Sequence, residues 1–537
     1  MKITVSILFS ILISFPALFA QAALETIQKS TDLPAQLAQT IRSEDLKNYL
    51  TVLASDDFEG RETGEPGQKK AAAFIAEKFK EFGIPPLDEN GNYFQKIAFI
   101  NERWNRIALN VNNRDYRHLY DFYSFPSTNS SLPDFKSKSV IFLGYGIDDS
   151  KYSDYAGQNV KGKTIMIYAG EPKNQDGMYW VSGTSEVSEW SGDFRKKLEA
   201  AKKNGVKLVL IIDADIQKNI SDNRSKIVGG GNSMGESELP ETRFANNVFI
   251  SPTVAKAIIG DKMEKVVAAR EQIQSGGKPK SAKLKCNLQL FQDKLDSRLA
   301  GENVLGYIEG TDPALKKELV VVTAHYDHLG KKGNSIFYGA DDNGSGTSTV
   351  LEIAQAFAEA KKSGVGPKRS VLCMLVSGEE KGLLGSKYYV EHPVFPLENT
   401  IVNINVDMVG RTDAKYAGNP DYIYVIGADR LSSDLHAINE RMNEEYTQLT
   451  LDYTYNAESD PNRYYYRSDH YNFAEKGIPA IFYFNGTHDD YHRPTDTIDK
   501  INFEKMEKIG KLIFHTAWEV ANRSNRIRVD KAGTAKG

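Results

Sequence analysis

The second half of the chain alternates apolar strands with amphipathic helices, and this pattern limits the fold more than any other feature of the sequence. Five segments are typical of strands: "LVVVTAHY", "RSVLCMLVS", "IVNINVDM", "YIYVIGA" and "PAIFYF". Helical patterns such as "GTSTVLEIAQAFAEAKK" and "NFEKMEKIGKLIFHTAWEVANR" lie between or after them. Nearly continuous apolar strands covered by helices predict an α/β fold with a mostly parallel sheet buried on both faces.

Most of these strands end in residue types that bind metal ions. Ligands of such sheets bind beyond the carboxyl ends of the strands. The candidates are His325 and Asp327, Asp341 and Asp342 in "GADDNGSG", Glu379 and Glu380 in "LVSGEE", Asp407, and His488, Asp489, Asp490, His492 and Asp496 in "GTHDDYHRPTD". Each is a weak signal alone, since acidic pairs are usually solvated. Gathered at one edge, mixed histidine and carboxylate ligands favour zinc or a similar divalent ion.

The N-terminus has the layout of a secretory signal. "MKITVSILFSILISFPALFAQAA" combines one early lysine, an apolar run from Ile7 to Phe19 and the small-residue pattern Ala20-Gln21-Ala22. This layout predicts a signal peptide at 1–22. The apolar run is shorter than the roughly 20 residues of a spanning helix, and no cysteine for a lipid anchor lies near the cleavage site. We therefore expect an exported protein, periplasmic or extracellular, without a stable membrane anchor.

Composition excludes some classes of partner. The net charge of the 537-residue chain is −4, so a nucleic-acid partner is not expected. Two cysteines, Cys286 and Cys373, do not make a disulfide scaffold. A bridge between them stays open, although the apolar strand around Cys373 favours a free thiol. The sequence leaves the oligomeric state unknown.

The strand, helix and turn patterns of the chain predict its division into domains. Residues 23–109 contain two helices and read as the N-terminal part of the main domain, which resumes at 277–525. Between them, residues 110–276 contain predicted short strands such as "KTIMIYAG" and "VKLVLIID", glycine-rich turns and one predicted helix, "FRKKLEAAKKNG". This segment reads as an inserted β-rich domain. The tail, 526–537, is expected to be disordered.

A set of motifs resembles one known family across most of the mature chain. They are "LASDDFEGRETGEPGQKKAAAFIAEKF", "ENVLGYIEG", "VVTAHYDHLG", "GADDNGSGTSTVLEIA", "SGEEKGLLGSKYY", "NINVDMVGR", "YRSDHYNFAEKGIPAIFYF" and "DYHRPTDTIDKI". In type, order and spacing they resemble the M28 zinc peptidases, which include secreted bacterial aminopeptidases. "GYGIDDSKYSDYAGQNVKGKTIMIYAGEP" resembles the protease-associated (PA) domain often inserted in that family.

The resemblance implies two Zn²⁺ ions per chain and a role for each ligand. Asp342 would bridge the two ions, His325 and Asp407 would complete one, and Glu380 and His492 the other. The choice of Asp342 over Asp341 depends on alignment to the turn Asn343-Gly344-Ser345-Gly346.

Other site residues follow from the same resemblance. Glu379 matches the general base, and Tyr491 resembles an oxyanion donor, although a merely packed tyrosine is an equal alternative. Asp327 is expected to orient His325, and Asp496 could do the same for His492. Three more histidines are expected to be structural or peripheral: His328, His470 and His488.

The function predicted from this resemblance is an exported dinuclear zinc aminopeptidase. It would hydrolyse N-terminal residues from peptide substrates through a metal-bridging hydroxide, with Glu379 as the general base. A carboxypeptidase or other amide hydrolase is the alternative, because Arg411 and Arg467 could bind a carboxylate. A glutaminyl cyclase with one zinc or an inactive binding protein ranks lower, since no ligand position or base is missing. Tyr464, Tyr465 and Tyr466 could line a side-chain pocket or pack a loop.

Overall fold

The computed structural model describes residues 32–228, 231–234 and 243–531. The chain divides into two compact units, the first formed by Met1–Ile97 with Ala300–Gly537 and the second by Ala98–Leu299. The predicted signal peptide lies outside the described residues. In the part of the chain that is described, no helix is both long and apolar enough to cross a membrane.

Helices occur in both units. In chain order they are α1 Leu33–Ala38, α2 Ser43–Leu53, α3 Pro66–Glu81, α4 Glu189–Gly192, α5 Phe194–Lys203, α6 Ile216–Asp222, α7 Arg224–Val228, α8 Pro252–Ile259, α9 Met263–Gly276, α10 Gly346–Lys362, α11 Leu384–Glu391, α12 Ser433–Met442, α13 His470–Glu475 and α14 Phe503–Asn522.

Strands likewise occur in both units. In chain order they are β1 Phe94–Val111, β2 Arg114–Tyr116, β3 Phe122–Tyr123, β4 Leu132–Phe142, β5 Thr164–Tyr168, β6 Leu208–Ile212, β7 Gly231–Met234, β8 Asn246–Ile250, β9 Ala282–Ile308, β10 Leu319–His325, β11 Lys331–Lys332, β12 Ser335–Ile336, β13 Ser370–Val376, β14 Thr400–Val406, β15 Tyr422–Ile426, β16 Thr450–Asp452 and β17 Ala480–Phe484.

A mostly parallel sheet forms the centre of the first unit. Its strand order is β16–β15–β17–β14–β10–β13–β9. The four middle strands, β17, β14, β10 and β13, are parallel to one another, while β9 and β15 pair antiparallel with their neighbours. Every residue of the four middle strands is buried. The predicted fold class is therefore confirmed, and the five predicted strands agree with the observed ones to within two residues at each end.

Alternate residues of each middle strand pack on opposite faces of the sheet. On one face Val320 and Val322 join a large core that also contains residues of α2, α3, α10 and α14. On the other face Val321 packs with Tyr389 of α11 and Phe473 of α13. Because both faces are covered, polar alternation is absent from these strands, and this explains their continuous apolar sequence.

Helix α10 begins directly behind the loop that carries Asp341 and Asp342. A Cβ atom on Gly346, its first residue, would lie 2.4 Å from the carbonyl oxygen of Val406. Glycine thus lets the start of the helix approach the end of β14 more closely than a larger residue would. This contact brings the acidic loop next to Asp407.

The second unit contains its own sheet, ordered β3–β8–β6–β5–β4–β9, in which β8, β6, β5 and β4 are parallel. Helices α8 and α9 pack on it and bury Val254, Val266 and Ile273. The unit is thus rich in strands, as expected, and also contains the helices α4 to α9. Its identity as a PA domain stays a prediction.

The observed unit boundaries differ from the predicted limits of the inserted segment, 110 and 276. Both boundaries fall inside long strands, β1 and β9. Each strand continues without a break through its boundary, although residues 295–298 of β9 are all exposed. The composition of the sequence therefore changes at different positions from those at which one compact unit ends and the other begins.

Part of the predicted disordered tail is held in place. Arg528 Nη2 lies 2.7 Å from Asp434 Oδ1, and the Ser433 N–H donates to Asp530 Oδ1 at 2.9 Å. The prediction of disorder was therefore wrong for residues 526–531, whereas 532–537 lie outside the described residues. Cys286 and Cys373 are both buried free thiols.

Candidate metal centre

The carboxyl ends of the four middle strands bring the predicted ligands together. His325 is the last residue of β10, and Asp407 directly follows β14. Glu379 and Glu380 follow β13, and the loop after β17 carries His492. Because these strands are adjacent and parallel, their carboxyl ends meet at one edge of the sheet.

Asp342 lies between two groups of side chains. Its Oδ1 is 3.4 Å from His325 Nε2, and its Oδ2 is 3.1 Å from His492 Nε2. On the first side, His325 Nε2 is also 3.3 Å from Asp407 Oδ1. On the second side, His492 Nε2 is 3.4 Å from Glu380 Oε2. The two groups therefore share one carboxylate, and each of its oxygens faces a different histidine.

These separations suit the coordination shell of zinc. Nitrogen and oxygen ligands about 2.0–2.2 Å from a tetrahedral Zn²⁺ lie about 3.3 Å from one another. Hydrogen bonds between charged groups are shorter, about 2.7–2.9 Å. The four nitrogen–oxygen distances around Asp342 lie between 3.1 and 3.4 Å. Both the spacing and the histidine–carboxylate donor set fit divalent zinc.

His328 belongs to the cluster, whereas it was expected to be structural or peripheral. Its Nδ1 is 2.8 Å from Glu380 Oε1 and 3.8 Å from Asp342 Oδ2. One potential ligand atom from each of these three residues lies within 4.8 Å of the others. Neither ring nitrogen of this fully buried histidine makes a well-aligned hydrogen bond to the described residues. The only sequence signal was its place three residues after His325.

The two adjacent glutamates occupy different environments. Burial and the Asp342 charge raise the pKa of Glu380, but His328 and His492 outweigh them and lower it to about 2. Glu379 lines the open cleft, with Oε2 4.0 Å from His325 Nε2. Burial first, and then the charges of Glu380 and Asp407, hold its pKa well above the usual range.

Asp327 connects His325 to the loop of Glu379. The main-chain oxygen of Asp327 is 3.1 Å from His325 Nδ1, whereas Oδ1 of the Asp327 side chain is 3.8 Å from the same nitrogen. That Oδ1 accepts the N–H of Glu379 at 3.3 Å, and Oδ2 accepts the hydroxyl of Thr63 at 2.6 Å. The closer partner of the His325 ring is thus a carbonyl oxygen, while the carboxylate is bound to two other elements.

Asp341 and Asp496 support the acidic loop from behind. Asp341 Oδ1 accepts the N–H of Gly410 at 2.7 Å, and its Oδ2 lies 3.2 Å from His488 Nε2. The carboxylate of Asp496 accepts the N–H groups of Asp341 and Asp342 at 3.0 and 3.1 Å. Asp496 therefore fixes the main chain at Asp342. The sequence had instead suggested that it orients the His492 ring.

An open cleft lies in front of the cluster. Its walls include these residues: Met408, Tyr464, Arg467, Phe482, Phe484, Thr487 and Tyr491. The Tyr491 ring stacks on that of His492 with 3.9 Å between centroids. Of the three consecutive tyrosines, the first lines the cleft. Arg411 is turned away, with Nη2 3.0 Å from Asp490 Oδ2.

Comparisons with known proteins agree with this fold. Residues 303–517 match the model of Peptidase family M28. The chain is 28% identical over 237 residues to aminopeptidase YwaD of Bacillus subtilis (strain 168), covering 43% of this chain and 47% of the relative. It is 31% identical over 216 residues to a probable leucine aminopeptidase of Trichophyton verrucosum (strain HKI 0517), covering 39% and 56%.

The chain thus spans about half the length of these curated relatives. The solved structure of an aminopeptidase from Aneurinibacillus sp. strain AM-1 has a similar fold over nearly the whole chain. Its TM-score is 0.52 at 19% identity, and the match covers 93% of this chain and 98% of that one.

The neighbouring acids Asp341 and Asp342 provide a matched test of the centre. We expect Asp342→Asn to weaken zinc binding by at least about 100-fold, because loss of a supporting partner alone costs 10–100-fold. Asp341→Asn should keep the affinity within about tenfold, since its carboxylate faces Gly410 and His488. Titration of chelator-stripped protein with Zn²⁺ measures both. Equal losses would contradict this division between the two residues.

Proposed function

We propose that this chain, whose residues 303–517 belong to peptidase family M28, is a dinuclear zinc aminopeptidase that releases N-terminal residues from peptides. The position of Asp342 carries the proposal. One carboxylate with its two oxygens turned to separate histidines, His325 and His492, would suit a pair of divalent ions.

The protein residues divide into two ligand sets. His325, Asp407 and Asp342 would hold one Zn²⁺; Glu380, His492 and Asp342 would hold the other. His328 lies beside the second set, with its Nδ1 2.8 Å from the other oxygen of Glu380. Bound zinc supplies Lewis-acid activation of water and of a carbonyl group near neutral pH.

Glu379 is placed for proton transfer. It lines the cleft beside the cluster, and its main chain is fixed by the Asp327 carboxylate. In the proposed reaction, Glu379 accepts a proton from the attacking water and delivers it to the leaving amine. Tyr491 also lines the cleft. Its hydroxyl would donate a hydrogen bond to the oxyanion of the tetrahedral intermediate.

The cleft also supports the choice of substrate. An unblocked N-terminal amine is a cation, and Glu379 is a cleft-lining acid that is not assigned to a zinc ion. The apolar wall formed by Met408, Tyr464 and Phe482 suits an apolar first side chain. These features favour peptides that begin with a free amine and an aliphatic residue.

A carboxypeptidase remains the second candidate because of Arg467. This arginine lines the cleft, with its guanidinium carbon 5.0 Å from the centroid of the Tyr464 ring. An arginine at this place could bind a substrate carboxylate. Arg411 no longer contributes to this alternative, since it pairs with Asp490.

A set of matched peptides separates the candidates. We expect cleavage of a leucine-led peptide, but not of its N-acetylated twin, with activity lost on chelation and regained with Zn²⁺. A C-terminal amide of the same peptide should be cleaved equally well. Cleavage of the acetylated peptide, together with loss of cleavage for the amide, would instead establish a carboxypeptidase.

The adjacent glutamates give a second test. Glu379→Gln should lower kcat by about 10²–10⁴-fold, as loss of a general base does, and should leave the zinc content unchanged. Glu380→Gln, the matched control, should lose zinc as well as activity. Metal analysis and kinetics on both variants measure this, and loss of zinc from Glu379→Gln would contradict the assigned role.

We also infer from the N-terminal pattern that the protein is exported to the periplasm or the extracellular space. The mature protein should then begin at Ala23, as N-terminal sequencing would determine. An intact Met1 on the exported protein would contradict this cleavage.

A further inference from the structure

Residues Gly60–Thr63, which we call the clasp, lie against the metal centre although they are about 265 residues away in the chain. Their main chain pairs with the loop after β10: the N–H of His328 donates to Arg61 O, and the N–H of Gly330 to Gly60 O. Gly60 has φ +70°, and a Cβ there would lie 2.4 Å from the Phe337 carbonyl oxygen. Glycine is therefore required for this close approach.

Thr63 fixes the carboxylate of Asp327. Its hydroxyl donates to Asp327 Oδ2 at 2.6 Å, and both residues are buried. The other oxygen of that carboxylate accepts the N–H of Glu379, and the main-chain oxygen of the same residue is 3.1 Å from His325 Nδ1. One hydroxyl thus sets the position of a residue that contacts both the predicted base and a predicted ligand.

Arg61 ties together the two segments that carry His325 and Asp342. Its guanidinium is fully buried and donates to main-chain carbonyl oxygens only. Nε donates to Tyr326 O at 2.8 Å, and Nη2 donates to Gly339 O at 2.8 Å. Tyr326 directly follows His325, and Gly339 opens the loop of Asp342. The planar guanidinium holds these two segments at a set distance.

Glu62 reaches the third ligand segment. Its carboxylate accepts from Lys381 Nζ at 2.6 Å, next to Glu380. Three consecutive side chains of the clasp therefore contact the segments after β10, before α10 and after β13. These contacts reach three of the five segments that carry the predicted ligands, those of His325, Asp342 and Glu380.

We propose that Arg61 and Thr63 are positioning residues of the metal centre, which hold its ligands in place before an ion binds. The inference rests on the proposed function, since it assumes that the cluster binds zinc. In the described part of the chain, the side-chain hydrogen bonds of Arg61, Glu62 and Thr63 go to residues other than those of the apolar cleft wall. Loss of the clasp contacts should therefore act on zinc affinity and kcat, and leave KM nearly unchanged.

Thr63→Val and Thr63→Ser form the decisive pair, because valine keeps the shape and removes the hydroxyl. We expect Thr63→Val to raise the zinc Kd by about 10–100-fold, the usual effect of losing a partner that orients a ligand. Thr63→Ser should stay within about threefold of the unaltered chain. Thr51→Val is a control, since the Thr51 hydroxyl donates to Lys47 O on the exposed face of α2.

The measurement is a Zn²⁺ titration of chelator-stripped protein, with the visible absorption of the Co²⁺-loaded protein as a second readout. Thr63→Val should alter the Co²⁺ spectrum, and the control should not. An unchanged Kd and spectrum in Thr63→Val would overturn the inference while leaving the proposed function intact. Absence of zinc binding by the unaltered chain would overturn both.

Arg61→Lys tests the other half of the clasp. Lysine keeps the charge but not the planar set of donors, so zinc affinity should fall by at least tenfold. Circular dichroism separates this from unfolding. If the variant does not fold, the Thr63 pair still decides, and a folded Arg61→Lys that binds zinc normally would remove Arg61 from the proposal.

Discussion

The concentration of carboxylates at one sheet edge is the constraint on which the rest of the first unit depends. Asp327, Asp341, Asp342 and Asp407 are buried, and Glu379 and Glu380 lie beside them. Carboxylates buried this close together repel one another and cost solvation free energy unless they are compensated. The surrounding structure can be understood as that compensation.

Three kinds of partner supply it. Main-chain N–H groups donate to Asp327 and Asp341, and the Ser468 hydroxyl donates to Asp407 Oδ2 at 2.7 Å. Burial lowers the pKa of Arg61 to about 10, although the negative charge of the nearby acids raises it in part. This residue therefore remains a cation at neutral pH. Hydrogen bonds and one buried cation hold the acids in place, and divalent ions would balance the remaining charge.

The sequence predicted the sheet and most of the cluster because both depend on local patterns. A continuous apolar strand predicts two-sided burial, and the residue after such a strand lies at the sheet edge wherever the strand sits in the order. The clasp could not be predicted in this way. Arg61 and Thr63 reach the site only through the tertiary fold, and nothing in "GRET" indicates which strand end it meets.

His328 and Asp327 show the same limit at shorter range. Both lie within three residues of His325, yet the sequence could not tell which atoms face the cluster. The loop turns after β10, so that the main chain of Asp327 meets the His325 ring and the ring of His328 meets Glu380. Direction within an irregular loop depends on backbone torsions that residue spacing alone does not determine.

The two acidic pairs obey a common rule that explains why each pair is adjacent. Consecutive residues project in different directions where the chain leaves a strand or enters a turn. In both pairs the second acid, Asp342 or Glu380, faces the histidines of the cluster. The first acid has a different role, since Asp341 anchors the loop to Gly410 and Glu379 lines the cleft. Adjacency would thus let one short segment hold a metal ion and perform a second function beside it.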